Sequence, residues 1–169
     1  KSFNFVDFFA HIIYRLFPNE GIVLINSADD RLRKLEAPIF QKMIERQEEI
    51  TEAVFHAGEK LKQAGYHLQV DISQNDANLF YHLDDERILL KRVGNEWIGK
   101  NEEIAFSTEQ LLKIARNTPE KLSNNVITRP LMQESLFPTL AFIAGDGEIS
   151  YWALLKDAFS KFDENMNMP

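Results

Sequence analysis

An α/β fold is what this sequence predicts, on three observations. Two short, unbroken apolar runs, Gly21-Ile22-Val23-Leu24-Ile25-Asn26 and Thr139-Leu140-Ala141-Phe142-Ile143-Ala144, have the pattern of strands buried on both faces. Each is joined to stretches of helical periodicity, the alternation that defines α/β architecture. Between them, residues 65–106 change to short segments separated by turn residues, the pattern of a small antiparallel insertion. A chain of 169 residues can bury one core and carry such an appendage.

Taken in order, Phe5, Phe8, Phe9, Ile12, Ile13, Leu16 and Phe17 recur at helical spacing, and Pro18-Asn19-Glu20-Gly21 ends that amphipathic helix. The first strand run follows. Ser27 or Asp29 caps a short helix over 30–36, and Ala37-Pro38 restarts a long helix to about Ala64, with Gly65 as its stop. Its inward stripe is Ile39, Met43, Ile44, Ile50, Val54 and Leu61. At about 1.5 Å per residue it would be roughly 40 Å long, more than a compact crossover needs.

In the insertion, strands are expected at His67–Ile72, Ala77–Tyr81, Arg87–Val93 and Glu96–Ile98, with hairpin turns at Asp84-Asp85 and Gly94-Asn95. Ser107-Thr108-Glu109-Gln110 opens a capped helix running to Ala115. Leu131–Phe137 is helical by pattern and Pro138 closes it. The second strand run then meets Gly145-Asp146-Gly147 and a helix over Glu148–Phe162. Strand, glycine turn and helix make half of a Rossmann-type unit. The prediction is therefore a Rossmann-like core portion, 1–64 and 107–169, with a long helix and an antiparallel β insertion over 65–106.

Composition excludes several classes. The net charge is −7 and the pI about 5.1, so on average the surface repels nucleic acid and anionic membrane. Neither partner is expected. With no cysteine there is no disulfide framework, thiolate metal site or cysteine nucleophile. No apolar run approaches the roughly 20 residues that span a bilayer, and Lys1-Ser2-Phe3 does not open a signal peptide, so a cytoplasmic location is expected. The start without Met, directly in an apolar periodic segment, is expected of a piece of a longer protein. His11, His56, His67 and His82 are scattered without metal-ligand spacing, and no metal is expected. Ser135 and Ser150 lack a nearby base and a nucleophile-elbow setting.

Two constellations carry the site expectation. Arg129, Gln133 and Glu134 can share much of one helical face just ahead of a strand run, near the crevice where open α/β sheets bind ligands. The alternative is a buried Arg-Glu pair that holds the Pro130 turn. Gly145, Gly147 and Glu148 form a glycine turn into a helix start, either an anion-facing pocket floor or simply the turn itself. Tyr151 and Trp152 offer ring faces for stacking, or ordinary packing.

The blocks Gly21–Ile25, Leu35-Glu36-Ala37-Pro38-Ile39-Phe40, Ala77–Tyr81, Arg129-Pro130-Leu131-Met132-Gln133-Glu134, Phe137–Phe142 and Gly147-Glu148-Ile149-Ser150-Tyr151-Trp152, in that order, resemble the bacillithiol-biosynthesis cysteine-adding family. The resemblance covers nearly the whole chain. It departs where Asp146 stands in an expected Gly-Pro-Gly-Glu, and after Phe162, where Asp163-Glu164-Asn165 replaces an expected Met-Pro-Pro run.

The resemblance implies a Rossmann-like core and, in the intact protein, a coiled coil and a homodimer. It implies a ligase that joins the carboxyl of cysteine to the amine of glucosaminyl malate. The family core is similar to class I aminoacyl-tRNA synthetases and pantothenate synthetase. That similarity implies activation with ATP or ADP in the intact enzyme, with no cofactor held within this segment. On this reading Arg129 meets a substrate carboxylate, Gln133 and Glu134 an amine, and Gly145, Gly147, Glu148 and Tyr151 floor the pocket. The segment alone is expected to be inactive. The competing expectation is a non-catalytic scaffold or subunit-interaction module.

Overall fold

The computed structural model describes residues 4–84 and 86–169. Lys1-Ser2-Phe3 and the Asp85 half of the expected Asp84-Asp85 turn lie outside the described residues. Helix α1 spans Phe5–Leu16, α2 Asp30–Glu45 and α3 Gln47–Gln63. Strands β1 Asp76–Leu83, β2 Glu86–Val93, β3 Glu96–Gly99 and β4 Ala105–Ser107 precede α4, Thr108–Asn117. A 3-10 turn at Pro119–Lys121 leads to β5, Leu122–Asn124, and then to α5 Thr128–Leu136, α6 Asp146–Trp152 and α7 Lys156–Phe162.

All five strands form one antiparallel sheet in the order β4-β3-β2-β1-β5. The hairpin joints fall where the turn residues put them. Leu83 pairs with Glu86 and Val93 with Glu96, leaving two-residue loops in which Asp84 (φ 51°) and Gly94 (φ 60°) take the left-handed conformation. Side-chain alternation sends Leu79, Tyr81, Ile88, Leu90, Trp97 and Leu122 toward the helices. The opposite alternation aligns Phe80, His82, Arg87 and Ser123 on the other face, with His82 directly across from Arg87. The sheet takes its outer strand β5 from beyond residue 106, so the insertion is tied to the following segment by backbone pairing.

The core is shared between sheet and helices. Helix α2, which buries Phe40, Met43 and Ile44, packs against α4 and α5, while α3, which buries Ile50 and Val54, packs against α7, which buries Phe159 and Phe162. Trp97 is fully buried and its indole N–H donates to Thr108 Oγ1 at 3.0 Å. Helix α4 starts with the expected capping box, Ser107 Oγ accepting the Gln110 N–H and Gln110 Oε1 accepting the Ser107 N–H.

Several expected elements differ. The long helix is two, broken at Arg46 (φ −102°, ψ 16°), and α2 starts at Asp30 and runs through Pro38 without a restart. Pro38 and Lys34, whose carbonyl it deprives of a donor, are both exposed, so water can serve that carbonyl. The helix expected over Glu148–Phe162 likewise divides into α6 and α7. His67–Ile72 is not a strand. Its alternating Leu68 and Ile72 lie against the bare backbone of Gly58 in α3, so the period-2 pattern serves helix contact and not ladder pairing.

Gly21–Asn26 and Thr139–Ala144 are not sheet strands either: among the described residues neither has a ladder partner. Val23 is 78% exposed, and Leu140 and Ile143 stand almost fully in solvent. A strand buried on both faces needs neighbours on both edges and covers on both sides, and this chain's own sheet is formed elsewhere. Helix α1 is amphipathic as expected, yet buries none of its residues, with Phe5 82% exposed.

Candidate functional site

Helix α5 carries the expected site residues, and its start is fixed by a buried polar knot. Asn78 sits at a β1 irregularity in the left-handed conformation, φ 58°. Its side chain donates to Thr51 Oγ1 (3.0 Å) and accepts from Asn125 Nδ2 (2.9 Å), and its carbonyl accepts the Thr128 hydroxyl (2.6 Å). Asn125 Oδ1 in turn accepts the N–H groups of Ile127 and Thr128, which open α5.

Next in α5, Arg129 donates through Nη1 to Gln133 Oε1 at 3.0 Å and through Nη2 to the Tyr151 hydroxyl at 2.7 Å. Glu148 Oε1 lies 3.6 Å from Nη2 and accepts from the Tyr151 hydroxyl at 3.4 Å. The Phe142 ring lies under the guanidinium at 5.7 Å and is itself stacked on Trp152, centroids 4.1 Å apart. Arg129, Gln133, Glu148 and Tyr151 therefore form one network joining α5 to α6.

Glu134 does not join them: its carboxylate accepts the Thr139 N–H at 3.0 and 3.2 Å and fastens the loop after α5. Gly145 precedes α6 with an ordinary φ of −77°, and a Cβ at Gly145 or Gly147 would meet nothing within 4 Å. In this chain neither glycine is needed for a left-handed turn or for a close backbone approach.

Arg129 and Gln133 also line a cavity of about 550 Å³ between α5, the first half of α2 and the β1–β5 edge. Its other polar walls come from Arg33, His82, Arg87 and Ser123. Arg33 and Glu36 form a nearly buried ion pair at 2.7 Å, and burial pushes the Glu36 carboxyl up while Arg33 opposes the rise. His82 Nε2 and Ser123 Oγ are hydrogen-bonded at 2.7 Å. Burial pushes the His82 imidazole down, and the Arg87 and Arg33 charges push it further the same way, so it is neutral near pH 7. Arg87 stacks on Phe80 at 4.2 Å and donates to the Asn124 carbonyl at 3.3 Å, while Asn124 Oδ1 is buried with no hydrogen-bond partner.

These cavity residues were not among the expected ones, although one signal for them was present. A two-residue turn after Leu83 sets His82 across from Arg87. No group of three or more His, Cys, Asp or Glu suited to a metal ion occurs among the described residues. No helix among them is long and apolar enough to cross a membrane.

With that geometry in place, comparison with known proteins is informative. A family model described as "Bacillithiol biosynthesis BshC, N-terminal Rossmann-like domain" matches residues 1–169. A curated relative from Geobacillus sp. (strain WCH70), named "Putative cysteine ligase BshC", is 48% identical over 168 residues, covering 98% of this chain and 31% of the relative. Relatives of the same name from Bacillus thuringiensis (strain Al Hakam) and Bacillus cytotoxicus are each 42% identical, over 159 and 166 residues. They match 94% and 98% of this chain and 30% and 31% of their own lengths. The chain thus spans about three tenths of the length of these relatives.

Proposed function

We propose a function from one premise: this chain belongs to the BshC family of bacillithiol biosynthesis, whose N-terminal Rossmann-like domain its residues match. The intact protein is a cysteine ligase that forms an amide between the carboxyl of cysteine and the amine of glucosaminyl malate, and this segment supplies one wall of the substrate compartment. The observation that carries the reading is Arg129, held by Gln133 and Tyr151 at the lip of a cavity whose walls are rich in arginine. A planar guanidinium suits a carboxylate.

In this reading Arg129 meets a substrate carboxylate and Gln133 its amine, with Glu148 and Tyr151 forming the floor beside Gly145 and Gly147. Glu134 acts through the loop it fastens to α5. ATP or ADP, needed to activate a carboxyl, is held outside these residues, and the intact protein works as a cytoplasmic homodimer. The test is Arg129→Ala in the intact enzyme. Losing a charge-assisted hydrogen bond worth about 1.5–3 kcal/mol raises the KM for glucosaminyl malate roughly 10- to 100-fold. An unchanged KM sinks the assignment.

A second reading, a non-catalytic scaffold or subunit-interaction module, is favoured by the solvent-facing aromatics of α1 and the bare apolar runs at Val23 and Ile143. Calorimetric titration of this segment and the intact protein with glucosaminyl malate, ATP and cysteine separates the two. Binding of the malate compound to the segment supports a substrate wall, and binding only to the intact protein supports the scaffold.

A further inference from the structure

We infer that the cavity holds a second anion subsite, centred on Arg87 with His82 and Ser123, so that it takes a small molecule carrying two separated anionic groups. The inference rests on the reading of this cavity as the substrate compartment, and it goes further by assigning residues on the wall away from Tyr151 and Glu148.

Charge balance singles out Arg87. Three guanidiniums line the cavity: Arg33 is neutralised by Glu36 at 2.7 Å, and Arg129 has Glu148 at 3.6 Å. Among the described residues Arg87 has no carboxylate within ion-pair distance, so its charge is the uncompensated one. It is held in place nonetheless, stacked on Phe80 and tied to the Asn124 carbonyl. A fixed, uncompensated guanidinium beside a cavity attracts an anion, and its fork suits the paired oxygens of a carboxylate or phosphate.

The groups around it complete a polar site without opposing that charge. His82 lies directly across the β1–β2 ladder from Arg87 and is hydrogen-bonded to Ser123. Because burial and the neighbouring arginines keep it neutral, the pair offers hydrogen bonds and adds no second cation. The ligand class is therefore a small dianion with a hydrogen-bonding group beside the charge that meets Arg87. The group at Arg87 is a carboxylate of the acceptor substrate.

The test is calorimetry on the intact protein with malate, lactate, inorganic phosphate and ADP as probes, in the wild type, Arg87→Ala and Arg87→Lys. Arg87 is exposed and its side chain touches Phe80, and a thermal melt verifies folding of each variant. If a carboxylate sits there, the wild type prefers malate to lactate about tenfold or more, Arg87→Ala abolishes that preference, and Arg87→Lys recovers part of it. If Arg87→Ala weakens phosphate and ADP by a similar factor and leaves malate unchanged, the carboxylate assignment is overturned. Unchanged affinities for all four probes, or no binding of any of them by the wild type, overturn the subsite. The ligase reading fails separately: if the intact enzyme forms no amide while anion binding still depends on Arg87, the subsite stands without it.

Discussion

Replacing Asn78 by alanine should cost the β1–α5 junction about 3 kcal/mol. The side chain makes two short hydrogen bonds, to Thr51 Oγ1 at 3.0 Å and from Asn125 Nδ2 at 2.9 Å, each worth about 1 kcal/mol net. The residue also sits at φ 58°, a region asparagine tolerates and alanine occupies at a further cost of about 1 kcal/mol. These contributions are separable, because Asn78→Gly loses the same hydrogen bonds and avoids the backbone strain. Glycine should therefore be about 1 kcal/mol less damaging than alanine. Hydrogen exchange of the β1–β5 ladder amides in the intact protein reads the local opening free energy. Alanine should accelerate exchange by about two orders of magnitude, and glycine by about one order less than that. Equal acceleration by the two variants would refute the strain argument. Acceleration by less than about threefold in alanine would refute the hydrogen-bond argument as well.

Two further perturbations probe the cavity and the core. His82 has a lower pKa folded than its ordinary 6.5, through burial and then the Arg87 and Arg33 charges. The unfolded chain therefore binds its proton more readily, so stability is unaffected well above pH 6.5 and declines as the pH falls below that value. His82→Gln should flatten this part of the melting temperature against pH curve, and an unchanged slope would count against it. Trp97→Ala removes a fully buried ring and the donor to Thr108, and should lower stability by about 3–5 kcal/mol. Trp97→Phe should lose only about 1–2 kcal/mol, and urea unfolding of the intact protein ranks the two.

Local features were legible in the sequence wherever neighbouring residues decide the outcome. The capping box at Ser107 and Gln110, the Gly94 hairpin turn and the periodic helix from Phe5 all appear close to where their residues imply. Apolar patterning proved ambiguous over Leu68–Ile72, because an extended segment with one apolar face can cover a helix as well as pair in a sheet. The site was partly legible. Arg129 and Gln133 are one helical turn apart and could be grouped from spacing alone, and Tyr151 joins them only because α6 packs back toward α5. Glu134, next to Gln133 in sequence, points a helical step away and bonds to Thr139.

The sequence by itself determined the class of fold, the strongest turns and caps, and through its ordered blocks the family. These depend on residue type and on spacings of a few positions. Tertiary structure alone decided that Arg33, His82, Arg87, Ser123 and Asn124 surround one cavity with Arg129. His82 and Ser123 are 41 positions apart, and only the register of β1 against β2 and β5 brings them together. It also decided which arginine is left uncompensated, since charge balance depends on which carboxylates lie within a few ångströms, and that is set by packing.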